Sequence, residues 1–147
     1  MTALGCTNFN LNCDGGCNNN VIKGTLTGNV YVWCGYSACS DMRIGEPHGT
    51  GGGHLVAGGN IQLVAAGGSN NANFRNLRMY VTSEGVGSEV RITCVYQTCD
   101  NMQIVAMVPA GSFYLIDNGG QGLDDPKLAV LARDYVRVYY GYTAGNR

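Results

Sequence analysis

The stretch "VYVWCGYSACSDMRI", Val30–Ile44, decides how this chain is read. Sixty residues on (90 − 30) it returns as "VRITCVYQTCDNMQI", Val90–Ile104. Val, Cys, Tyr, Cys, Met and Ile recur at identical places in the two copies. Each copy runs an apolar–polar alternation into a cysteine, crosses a four-residue spacer to a second cysteine, and ends in Met-x-Ile. Alternation with a period of two marks a half-buried strand, so the unit reads strand, polar turn, strand. Weaker copies flank it. "FNLNCDGGCNNNVI", Phe9–Ile22, has the same order; Cys13 to Cys34 is 21 residues (34 − 13) and Cys17 to Cys39 is 22 (39 − 17). Ile61–Val81 keeps strand, turn and strand without cysteine, and "FYLIDNGGQGLDDPKLAVL" from Phe113 is a further degenerate copy. A repeat of roughly 20–30 residues belongs to solenoids.

Short apolar alternations cover the rest of the chain: Val30–Trp33, Met42–Ile44, His54–Ala57, Ile61–Ala65, Leu77–Val81, Val90–Thr93, Met102–Val108, Phe113–Ile116 and Val136–Tyr142. Clusters such as "GTGGG", "AGGSNNAN" and "DNGGQG" separate them. Regular short strands with Gly and Asn turns mean an all-β protein, expected as a β-solenoid (parallel β-helix), with a β-sandwich or jelly roll as the alternative. One short late helix is expected over "LDDPKLAVLARDY". Asp124 or Asp125 is placed to cap it, Pro126 sits just inside, and Leu128, Leu131, Ala132 and Tyr135 follow at helical spacing. Residues 1–147 read as a single domain with no linker.

Charged residues make up only 13% of the chain and the net charge is −1, so nothing draws it electrostatically to nucleic acid. A surface of Asn, Ser, Thr, Gly and Tyr repels its own copies weakly, which favours self-association. No apolar run is long enough for a membrane span. No Asn-x-Ser/Thr sequon occurs.

Six of the seven cysteines form close pairs, Cys13/Cys17, Cys34/Cys39 and Cys94/Cys99, leaving Cys6 over. This is the pattern of disulfides in an oxidising, extracellular compartment. "MTALGC" has neither a basic nor an apolar leader region, and the expectation is that a signal peptide has been removed. Zinc half-sites are allowed by the spacing, but Cys94/Cys99 has no partner pair near in sequence and a Tyr sits inside two of the loops, so disulfides are the better reading. Two wirings compete. Stacked coils about 4.8 Å apart would let Cys13 reach Cys34 and Cys17 reach Cys39. Alternatively each pair clamps its own turn. The isolated pair Cys94/Cys99, with no cysteine in adjoining units, favours local clasps.

The pattern V-x-V-x-C-x4-C-x2-M-x-I resembles the Cys-x4-Cys repeats of extracellular parallel β-helix (pectin-lyase-like) proteins of protists and algae. The resemblance covers about half the chain. It implies coils rich in Cys and Asn stacked into a rod, a structural or adhesive role, and no catalytic residues to carry over. The cysteine-free central unit and the expected helix depart from the pattern.

Other constellations carry little chemistry. His48 and His54 flank a glycine loop with Glu46 nearby; two imidazoles and a carboxylate suit a metal, but glycines fix no geometry. Asp117, Asp124, Asp125 and Asp134 are the acids of the C-terminal part; paired carboxylates cleave glycosides, yet Asp-Asp-Pro already reads as a cap. Tyr31, Trp33, Tyr36 and Tyr96 fit a sugar platform, or packing in a core or subunit interface, which is the preferred reading. No metal, cofactor or catalytic group is expected. The expected function is a structural subunit that assembles into an extracellular filament, sheath or surface appendage. The alternatives are an adhesin or carbohydrate-binding module and, further off, a polysaccharide-acting β-helix enzyme. Residues 136–147 form the expected assembly tail, with Val136, Val138 and Tyr140 adding to a neighbour's sheet and Cys6 available to bridge subunits.

Overall fold

The computed structural model describes residues 2–36, 38–49, 52–66, 73–95, 98–118, 123–124 and 126–139. The chain passes back and forth between two parallel sheets. The seven-stranded first sheet holds β1 (Thr2–Leu4), β3 (Val21–Leu26), β5 (Arg43–Ile44) with β6 (Leu55–Ala57), β8 (Arg78–Ser83), β11 (Gln103–Val108) and β14 (Lys127–Ala132). The six-stranded second sheet holds β2 (Phe9–Cys13), β4 (Val30–Cys34), β7 (Ile61–Ala66), β9 (Glu89–Val95), β12 (Ser112–Asp117) and β15 (Val136–Tyr139). A two-stranded third sheet pairs β10 (Cys99–Asp100) with β13 (Leu123–Asp124). Every pairing among the described residues is parallel, whereas sandwiches and jelly rolls are built of antiparallel sheets.

Register explains why the alternation recurs. Phe9, Val30, Ile61, Val90, Phe113 and Val136 stand opposite one another across the second sheet, and Leu11, Val32, Leu63, Ile92, Leu115 and Val138 form the next inward column. In the first sheet Met79, Ile104 and Leu128 make a matching column. Apolar side chains of both sheets join one buried cluster. A slip of one residue would turn a whole strand inside out, so the buried face fixes the register.

The turns are held rung by rung. Asn8 Oδ1 accepts the backbone N–H of Asn29 at 2.8 Å, Asn29 Oδ1 that of Asn60 at 2.8 Å, and Asn60 Oδ1 that of Glu89 at 2.8 Å. Each amide thereby supplies an acceptor to a turn N–H of the next rung.

The late helix does not form. Residues 127–132 are β14, paired along their whole length with β11. Leu128, Val130 and Ala132 stand opposite Ile104, Ala106 and Val108, so the same residues also satisfy a period of two. β11 offers an open backbone edge, and a helix would leave that edge unpaired. Pro126 stands just before the strand, where a missing N–H costs little. The interrupted "VIKGTL" of β3 was legible only as its leading apolar pair, because Lys23 and Gly24 break the alternation.

Cys13 is bonded to Cys17, Cys34 to Cys39 and Cys94 to Cys99, with Cα separations of 5.9, 6.2 and 5.8 Å. The disulfides clasp turns within units. Cys6 is free and exposed. Replacing Cys94 and Cys99 together by Ala removes a six-residue closed loop and should cost about 2 kcal/mol by the chain-entropy account. Urea denaturation should show a lower midpoint; an unchanged midpoint would mean the clasp contributes nothing.

Candidate functional site

On the outward face of the first sheet, Val21, Arg43, Arg78, Gln103 and Lys127 fall into one column. Arg43 and Arg78 stand directly opposite each other on neighbouring strands. Two residues earlier in each rung, Asn19, Asp41, Asn76 and Asn101 occupy the left-handed region, at φ 61, 57, 56 and 51°. Asn and Asp tolerate that conformation better than other residues with a Cβ. Their side chains are linked across rungs: Asn76 Nδ2 donates to Asp41 Oδ1 at 3.0 Å, and Asn101 Nδ2 donates to Asn76 Oδ1 at 2.8 Å. Turn ladder and basic column together line an open groove of about 680 Å³. Asp125 continues the ladder in sequence, but it lies outside the described residues.

A second, smaller depression of about 290 Å³ shares Arg43 and Arg78 and adds Gly45, Glu46, Pro47 and Tyr80. Its wall is an insertion. Ile44 pairs with Met79 and Leu55 with Val81, so residues 45–54 occupy the place of the single residue that would face Tyr80. Gly45 starts the excursion at φ 71°, and a Cβ there would collide with the Tyr80 carbonyl. The Glu46 N–H donates to the Gly53 carbonyl at 2.8 Å and closes the neck.

This insertion brings together the two histidines. Their rings stack with centroids 4.2 Å apart and an interplanar angle of 26°. His54 Nδ1 lies 3.1 Å from Thr82 Oγ1, and the residue is only 9% exposed. Among the described residues no group of three His, Cys, Asp or Glu side chains is placed to hold a metal. Burial, and then the neighbouring His48, push the His54 pKa below its ordinary value; a hydrogen bond with the Val81 backbone acts the other way.

The remaining sequence candidates are dispersed. Tyr31 and Trp33 point outward from β4, half-buried on the second sheet's outer face, and Tyr36 is 67% exposed, so none of them is core. Tyr96 lies outside the described residues, and so does Tyr140. Asp117 ends β12 on its buried side, whereas Asp134 is exposed in the turn before β15 with Arg133 Nε donating to it at 2.8 Å. Asp124 belongs to β13. The basic column was missed in sequence because Arg43, Arg78 and Lys127 are far apart along the chain. Its only signal was the polar residue between Met and Ile in each repeat.

No protein-family model matches this chain, and neither curated proteins nor solved structures give a significant match.

Because the His54 pKa is lower in the folded chain, the unfolded chain takes up the proton first. The contribution of His54 to stability is therefore full above its unfolded pKa of about 6.5 and is lost as pH falls through the lower folded value. Thermal melts between pH 7.5 and 5.5 should show the melting temperature falling with pH, and less steeply in His54→Asn. Equal slopes for the two proteins would remove His54 from the acid response.

Proposed function

We propose that the chain is a structural subunit, a β-solenoid whose coils are the paired strands of the two sheets, and that it assembles end to end outside the cell. One observation carries this reading: the inner columns run on to β14 and β15 but lose their cover there. Phe113 is fully buried while its partner Val136 is 51% exposed; Ile104 is fully buried while its partner Leu128 is 37% exposed. Among the described residues, β14 and β15 pair on one edge only, as do β1 and β2 at the other end. Open edges invite further strands. A second copy fits them, because all strands run parallel: its β2 continues the ladder beyond β15, setting its Phe9 and Leu11 against Val136 and Val138. Such a head-to-tail contact is heterologous and does not close on itself, so it propagates. Three disulfides are in keeping with an extracellular place of work.

Cys6 takes a different part in this arrangement. It stands exposed between β1 and β2, at the end of the stack opposite β14 and β15. A Cys6–Cys6 bridge would join two copies head to head and block head-to-tail addition at that junction, leaving both tails open.

The test is Val136→Asp with Val138→Asp. Burying those carboxylates unpaired in a joint is costly, and the association constant should fall by more than about a hundredfold. Sedimentation and electron microscopy of the native chain should show linear polymers that the variant lacks, with both proteins giving the same circular dichroism. Native chains that stay monomeric across a broad concentration range would overturn the reading.

A further inference from the structure

We propose that the basic column of the first sheet is a binding site for a glycan carrying tetrahedral ester oxyanions, sulfate or phosphate, with the Arg43–Arg78 pair at its centre. The two arginines are Cα partners on adjacent strands, both exposed on the same face. Like charges directly opposite each other destabilise a parallel or antiparallel pair. Among the described residues neither guanidinium makes an ion pair; the ion pairs that form there involve Arg75, Arg91 and Arg133. Among the described residues two acids share the site. Asp41 accepts from Asn76 and belongs to the turn ladder, and Glu46 belongs to the inserted loop. Among the described residues of the larger groove, Arg43, Arg78 and Lys127 stand with one acid, Asp41, a local excess of positive charge on a chain whose overall charge is −1.

The geometry points to the ligand's chemistry. Guanidiniums one strand apart, about 4.8 Å at the backbone, are close enough to converge on a single anion. Several oxygens on one centre suit two forked donors better than a lone planar carboxylate does. Around the pair the walls are amides: Asn19, Asn76, Asn101 and Gln103. Amides donate to and accept from hydroxyls, which suits the sugar part of such a ligand. Among the described residues Val21 is the only apolar one lining the groove, which gives little purchase to the apolar side chains of a phosphopeptide. The inserted loop with Tyr80 closes one end, giving the groove a defined limit next to the arginines.

The experiment measures binding of the full oxidised chain to dextran sulfate, a phosphorylated mannan, unmodified dextran, polygalacturonate and a phosphoserine peptide. The substitutions are Arg43→Gln, Arg78→Gln and, as a control on the opposite sheet, Arg91→Gln. The expected result is binding to dextran sulfate or the phosphomannan, whichever carries the native ester, with unmodified dextran at least a hundredfold weaker. Arg43→Gln and Arg78→Gln should each weaken binding about tenfold or more, and added salt should weaken it further. The same two variants should melt no lower than the native chain, since each relieves the opposed charges; Arg91→Gln should leave binding unchanged. Equal binding of unmodified dextran would overturn the proposal, as would a preference for polygalacturonate or the phosphopeptide. Arginine variants that bind as tightly as the native chain would also overturn it, and so would an equal loss in Arg91→Gln. Comparing Val136→Asp/Val138→Asp with the native chain at concentrations where both are monomeric separates this site from assembly.

Discussion

Parallel in-register stacking is the constraint on which everything else in this protein depends. Once Val30 is set opposite Ile61, and Ile61 opposite Val90, each position along a rung belongs to a column at about 4.8 Å spacing. A column must then tolerate its own company. Inward columns of Val, Ile, Leu and Phe do so by close packing, and both sheets deliver them to one core. Turn columns do so through amides, which donate and accept at once, as in the Asn8–Asn29–Asn60 series. Charge is the chemistry that stacks worst, which gives a physical reason for so few charged residues in the chain. The Arg43–Arg78 pair stands out for the same reason.

The stack also determines what the disulfides do. Cys13 and Cys34 are themselves Cα partners, so a between-rung bond was geometrically open to them. The clasps form within rungs instead, where they close the turn at which the chain leaves the second sheet. Bonds between rungs would duplicate what backbone hydrogen bonds already secure. Clasps tighten the turns, where those ladders are interrupted. The cysteine-free rung between them has Ala65 in the same column, and the neighbouring buried residue Asn73 donates to the Cys34 carbonyl at 3.0 Å, tying that turn to the clasped one.

The cysteine clasps and most strands were legible because their signals are local: alternation, turn residues and a repeated spacer. The column partners were not, because the distance between them in sequence varies. Phe9 meets Val30 after 21 residues (30 − 9), and Val30 meets Ile61 after 31 (61 − 30). Loops of unequal length hide a regular stack behind an irregular period. For that reason the groove, built from Arg43, Arg78, Gln103 and Lys127, left no compact motif. The late helix failed for a related reason. Leu128, Leu131, Ala132 and Tyr135 match a helical period only if the neighbouring strand is ignored, and a waiting edge on β11 outweighs a weak propensity. Tyr31 and Trp33, read as packing in a core or a subunit interface, alternate with Val30, Val32 and Cys34 and face outward, which removes the core from that reading.

Residues 45–54 show how such a stack acquires a site. Backbone pairing resumes at Leu55 one partner beyond where it stopped, since Ile44 faces Met79 and Leu55 faces Val81. The insertion therefore leaves the register of every later rung untouched. Its entropic cost grows only slowly with length, and the closed neck between Glu46 and Gly53 reduces it further. A rung can thus extrude a wall beside a flat sheet without disturbing the columns that hold the sheet together. Flat parallel faces alone offer little concavity. Here the turn ladder raises one wall of a groove along the basic column and the insertion adds a second depression beside it; both share Arg43 and Arg78, and that coincidence distinguishes the Arg43–Arg78 face.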